Sequence, residues 1–89
     1  MGEVLATIKI MPESPEIDMS KLKNEIQSSI PKSAELYKIE EEPVAFGLIA
    51  LKIMVIVDDA AGGTENVEKN LSKIEGVSNI EVTDLRRLI

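Results

Sequence analysis

The 89-residue sequence predicts an α+β sandwich of order β-α-β-β-α-β, with a four-stranded antiparallel sheet and two helices on one face. Three observations predict it. Apolar residues alternate with period two at Val4, Ala6, Ile8 and Ile10, and they run almost unbroken from Leu48 to Val57. Two other segments place them at helical spacing instead: Leu22, Ile26 and Ile30, then Val67, Leu71 and Ile74. Pro12, Pro15, Pro31, Pro43 and Gly76 fall between these segments, where breaks are needed.

The elements follow in order. A first strand covers Val4 to Met11, and Pro12 and Pro15 bracket the loop that ends it. Asp18 or Ser20 caps the first helix, which Pro31 stops. A more polar strand runs from Glu35 to Glu42, with Tyr37 and Ile39 on one face. The stretch "EEEPVAFG" breaks the chain, and Leu48 to Val57 forms the most buried strand. Asp58 and Asp59 close it, and "AAGG" leads to a second helix with Thr64 as N-cap and Gly76 as C-terminal stop. The last strand covers Val77 to Leu85, with Ile80 and Val82 facing inward.

Two strand-helix-strand units of this length make the split βαβ, or ferredoxin-like, arrangement. Its first and third strands are central, and here those are the most apolar. The edge strands carry the Glu run, Asp84 and the arginines, as exposed edges do. Residues 1–89 read as one domain without repeat or linker.

Composition narrows the chemistry. The chain contains no Cys and no His, so it offers no disulfide, no thiolate nucleophile, no imidazole base and neither of the usual transition-metal ligands. A net charge of −6 disfavours a nucleic-acid backbone as direct partner and suits a basic protein surface. The longest apolar stretch, Val44 to Val57, is interrupted by Gly47 and Lys52 and is too short for a membrane span. A soluble cytoplasmic protein, without membrane contact, is expected.

Common uses of the fold fail against the residues. Base stacking needs aromatics on the central strands, which offer Leu5, Thr7, Lys9, Leu48, Ala50 and Lys52 instead. "MPESPE" is acidic and would repel phosphate, and "AAGG" lacks the Lys-Ser/Thr of a nucleotide loop. Glu40, Glu41 and Glu42 point alternately to opposite faces of a strand and do not converge on a cation. The pair Asp58–Asp59 reads as the end of a strand rather than as a Mg²⁺ site. No metal, no cofactor and no enzymatic activity are expected.

Two features are left. Phe46, the one Phe of the chain, lies in a turn between Pro43 and Gly47. Arg86 and Arg87, its only arginines, sit beside Leu88 and Ile89 at the very end. The ordered set "EPVAFGLIALKIMVIVDD", a Gly-Thr helix start and "GVSNIEVTDLRRLI" resembles the C-terminal exchange domain of the elongation factor one-beta family. "ATIKIMPES" fits that family's first strand and turn. The resemblance is to the archaeal form, which stands alone as a domain of about this length.

What the resemblance implies is guanine nucleotide exchange on elongation factor one-alpha, the GTPase that delivers aminoacyl-tRNA. It implies that Phe46, in the turn opened by Pro43, fills a pocket on one domain of that partner. A basic residue near the C-terminus, falling on Arg87 with Arg86 beside it, would reach the partner's Mg²⁺ site. Eukaryotic members carry Lys there; Arg is larger and forked, and suits a carboxylate or phosphate. Leu88 and Ile89 would pack the tail, on this domain or on the partner. The free protein is expected to be a monomer.

Two rival readings stay open on the residues alone. One is a regulatory module that binds a small ligand and dimerises through edge strands. The other is a structural subunit pairing through an exposed sheet face of Leu5, Met11, Leu48, Met54 and Ile56, across which Lys9 and Lys52 lay their stems.

Overall fold

The alternation that begins at Val4 carries through to Pro12, and this strand holds the middle of the sheet. In the computed structural model, which describes residues 2–32, 34–58 and 64–88 with Phe46 by its backbone only, β1 spans Glu3–Pro12. It is followed by α1 (Met19–Ser29), β2 (Ala34–Pro43), a single 3₁₀ turn (Ala45–Gly47), β3 (Ile49–Asp58), α2 (Glu65–Ser72) and β4 (Val77–Arg87). The strand order is β2-β3-β1-β4, and every neighbouring pair is antiparallel. The predicted topology is the observed one, with the apolar strands central.

One face of the sheet makes the core. Ala6, Ile8 and Ile10 of β1 and Leu51, Ile53, Val55 and Val57 of β3 meet Leu22 and Ile26 of α1 and Val67 and Leu71 of α2. All are essentially out of solvent. Each large aliphatic side chain so buried contributes about 1.5–3 kcal/mol. Among the described residues the other face carries no helix.

The helix ends differ from one another. Asp18 caps α1: its Oδ1 accepts from the Ser20 and Lys21 amides at 3.0 and 3.2 Å. Thr64 holds the corresponding place before α2, but its backbone is already helical and its side chain makes no cap bond. Its hydroxyl donates to Glu68 Oε2 at 2.9 Å instead. Helix α2 stops at Ser72, so Ile74 reaches the core from the turn beyond it. Gly76 then turns the chain with φ +97°, and its carbonyl accepts from the Glu13 amide at 2.8 Å. A Cβ at Gly76 would stand 3.2 Å from Ile17 Cδ1.

Three sequence expectations need correction. Tyr37 does not share a face with Ile39: a register shift between Leu36 and Lys38 leaves Tyr37 as an extra residue, 66% exposed. The bulge lets Leu36 and Ile39, three positions apart, both pack on the core. Leu48 belongs to the turn rather than to β3, its amide donating to Ala45 O at 3.2 Å. The last strand continues two residues beyond Leu85, to Arg87. Asp59 and the "AAGG" segment lie outside the described residues.

Asp18→Ala is expected to cost about 1 kcal/mol in urea unfolding, the usual value of a side-chain cap, and Thr64→Ala less than half of that. Gly76→Ala, which forces a Cβ into a positive-φ turn against Ile17, is expected to cost about 1–2 kcal/mol in the same assay.

Candidate functional site

The two arginines are the last rungs of the β1–β4 ladder. Val4 pairs with Arg87, Leu5 with Arg86, Ala6 with Leu85 and Thr7 with Asp84. The Leu88 amide donates to Glu3 O at 3.0 Å, one step further. The end of the chain is therefore sheet, held by backbone bonds up to Leu88.

Directly paired residues share a face, so the ladder sorts the side chains. Arg86 and Asp84 lie with Leu5 and Thr7 on the open face. Arg87 and Leu85 lie with Val4 and Ala6 on the helix side, where Val4 packs against the core. The two arginines thus face opposite sides of the sheet. Arg86 Nε donates to Asp84 Oδ2 at 2.8 Å, a mostly exposed pair along one strand. Leu85 is 57% exposed and Leu88 47% exposed, past the cover of the helices. Leu88 thus stands about half-exposed beyond the last rung, its backbone bonded to Glu3. Ile89 lies outside the described residues.

The other end of the sheet carries the Phe46 turn. Pro43, the last residue of β2, pairs with Ile49, and the Val44 amide donates to Leu48 O at 2.9 Å. Phe46 is the middle residue of the 3₁₀ turn, which Gly47 leaves with φ +77°. Since β3 runs from Ile49 to Asp58 antiparallel to β1, this turn and the arginines lie at opposite ends of the sheet. The longest dimension of the molecule is 41 Å.

The acidic residues are dispersed. Glu41 reaches Lys23 of α1 at 2.6 Å, while Glu40 lies 3.7 Å from Lys38 along its own strand. Among the described residues no three carboxylates are grouped to hold a metal ion, and no helix is long and apolar enough to cross a membrane. One feature was not foreseen from the sequence. A shallow hollow on the open face is lined by Leu5, Thr7, Lys52, Met54, Thr83, Asp84 and Arg86. Its residues come from three strands, and only their register brings them together.

By its fold the protein is a ferredoxin-like sandwich domain with one bare sheet face. Among solved structures it resembles the ACT domain from the GTP pyrophosphokinase of Chlorobium tepidum, at a TM-score of 0.64 and 23% identity over 90% of this chain and 97% of that one. It also resembles the de novo designed protein Foldit4, at a TM-score of 0.63 and 23% identity over 98% and 97%. These likenesses concern the fold alone.

Sequence is more specific. Residues 5–88 match the model of the EF-1 guanine nucleotide exchange domain. The chain is 66% identical over 89 residues to elongation factor 1-beta of Methanothermobacter thermautotrophicus, with all of both chains covered. It is 54% identical to that of Methanobrevibacter smithii, again over all of both, and 43% identical to that of Natronomonas pharaonis over 99% of this chain and all of the relative. The chain belongs to the EF-1 guanine nucleotide exchange domain family.

Leu88→Ser is expected to change unfolding free energy by less than about 0.5 kcal/mol, as for a surface position. Packing of Leu88 on this domain would instead cost about 2 kcal/mol. Asp84→Asn, which opens the exposed pair with Arg86, is expected to cost less than about 1 kcal/mol in the same measurement.

Proposed function

We propose that this protein is a guanine nucleotide exchange factor of translation elongation, acting on elongation factor one-alpha, and that Arg87 is the residue that disturbs the partner's Mg²⁺ and phosphate site. The observation that carries the reading is the match to the exchange-domain family over residues 5–88. The geometry supports it with two anchors at opposite ends of a pinned sheet.

Phe46 is the first anchor, with Pro43 opening its turn. Filling an apolar pocket on the GTPase, it contributes about 2 kcal/mol of binding. The second anchor is the end of β4. Arg86 lies over the open face, where its Nε donates to Asp84, and Arg87 lies on the helix side of the last rung. Only one of the two can enter a single ion site, and Arg87 is the one that falls on the family's basic position. Leu88 and Ile89 then meet the partner, consistent with the exposure of Leu88.

No covalent step is required, which suits a chain without His or Cys. Exchange is coupling between two binding events: a factor that weakens bound nucleotide is itself weakened by nucleotide to the same extent. A thousandfold faster release corresponds to a barrier lower by about 4 kcal/mol. Bringing a guanidinium to where Mg²⁺ had been supplies part of it, since cation replaces cation while the metal's contacts are lost. In this reading the protein is a single domain, monomeric when free and cytoplasmic, and touches neither nucleic acid nor membrane directly.

Release of labelled GDP from elongation factor one-alpha of the same organism tests this. The wild type is expected to accelerate release. Arg87→Ala is expected to lose about tenfold or more of that acceleration, and Arg86→Ala less than about threefold. Phe46→Ala is expected to raise the concentration needed for half-maximal effect. Equal losses at both arginines would refute the assignment to Arg87, and no acceleration by the wild type would refute the function.

A further inference from the structure

The register places charged residues on the open face in rows that the sequence does not announce. Glu40 pairs with Lys52, Lys52 with Lys9, and Lys9 with Glu81. One row thus reads Glu-Lys-Lys-Glu across all four strands, with two lysines side by side on the central pair. Like charges directly opposite one another destabilise a sheet. Their acidic row-mates stand opposite them without closing to ion-pair distance, and Glu40 lies 3.7 Å from Lys38 instead. The edge cations Lys38 and Arg86 each have an acid two residues away on their own strand. Among the described residues neither Lys9 nor Lys52 has an ion pair.

The surroundings are apolar. On the side toward Arg86 the next two rows hold Met54 with Thr7 and Ile56 with Leu5, all of them buried or half-buried. Lys52 itself lines the hollow, together with Leu5, Thr7 and Met54. In a chain of net charge −6, the centre of the bare face is therefore a cationic notch beside an aliphatic bed. Lys9 lies four positions along the strand from Leu5, so the notch lies about 13 Å from the Arg86 row, between the two proposed anchors.

Resting on the function proposed above, we infer that the open sheet face is a third contact with the GTPase, and that Lys9 and Lys52 together receive a carboxylate standing in an aliphatic patch of that partner. The complement of two adjacent ammonium groups is one shared anion, which removes their mutual repulsion. Leu5, Met54 and Ile56 exclude water around it and strengthen the pairing. The notch also supplies selectivity. The acidic edges of this face repel negative surfaces in general, and only an acid placed at that row is accepted. A second copy of this chain is a poor occupant. Stacked about a two-fold along the strands, it would lay Lys52 over Lys9 and Glu40 over Glu81.

The test is the affinity of the full-length protein for elongation factor one-alpha, by calorimetric titration, with GDP release followed alongside. The double variant Lys9→Met/Lys52→Met keeps stem length and removes both charges; Lys9→Glu/Lys52→Glu reverses them. The methionine variant is expected to fold with an equal or higher Tm, because the repulsion is gone. Its Kd is expected to rise about tenfold with a shallower salt dependence, and that of the glutamate variant further. Release at saturating exchange factor is expected to stay near the wild-type rate, since the notch binds and does not touch the ion site. If a double variant does not fold, Lys9→Gln and Lys52→Gln singly carry the same comparison. Wild-type acceleration with an unchanged Kd in the folded variants overturns the inference and leaves the exchange function standing. Absence of any wild-type effect on GDP release overturns the function, and the inference with it.

Discussion

The hydrogen-bonded ladder between β1 and β4 ties the end of the chain to its beginning and decides which way each terminal side chain faces. It runs from Pro12 opposite Val77 to Val4 opposite Arg87 and is extended by the Leu88 amide on Glu3 O. Because β1 also pairs with β3 along nearly its whole length, β4 is anchored to the most buried part of the sheet. The charged residues up to Leu88 are thereby bonded into the sheet. Displacing any rung would move every residue beyond it.

That ladder contains two register shifts, and the one nearer the arginines does more than bend an edge. Thr7 pairs with Asp84 but Ile8 with Val82, so Thr83 is an extra residue. Ile80 and Val82 face the core, and an unbroken alternation would have turned Asp84 and Arg86 toward the helices and Arg87 to the open face. The extra residue reverses the parity. The bulge at Tyr37 does the same on the opposite edge, bringing Leu36 and Ile39 inward together. Both edges are thus irregular and rich in charge, which also discourages edge-to-edge association.

Stability and recognition are divided between the two faces. The helix side holds the aliphatic core, with Leu22, Ile26, Val67 and Leu71 closing over β1 and β3. The bare side carries half-buried Leu5, Met54 and Ile56 beside the adjacent lysines of the central strands. The proposed exchange role, a coupling of two binding equilibria, calls for a firm frame and well-placed contacts rather than reactive groups.

The sequence alone determined the element order, the central place of the first and third strands, and the core positions Ile8, Ile10, Leu51, Ile53, Leu22, Ile26, Val67 and Leu71. These follow from periodicity and from Pro and Gly punctuation, which act over a few residues and need no knowledge of partners. The ordered segments around Phe46 and Arg87 likewise made the family legible. Asp18 as the cap was one of two candidates, and only the bonds to Ser20 and Lys21 chose it. Tertiary structure alone decided that the tail is strand, that Arg86 and Arg87 face opposite sides, and that Lys9 meets Lys52. The reason is physical: facing depends on register and bulges between strands some 70 residues apart, and a single extra residue, Thr83, inverts every side chain after it.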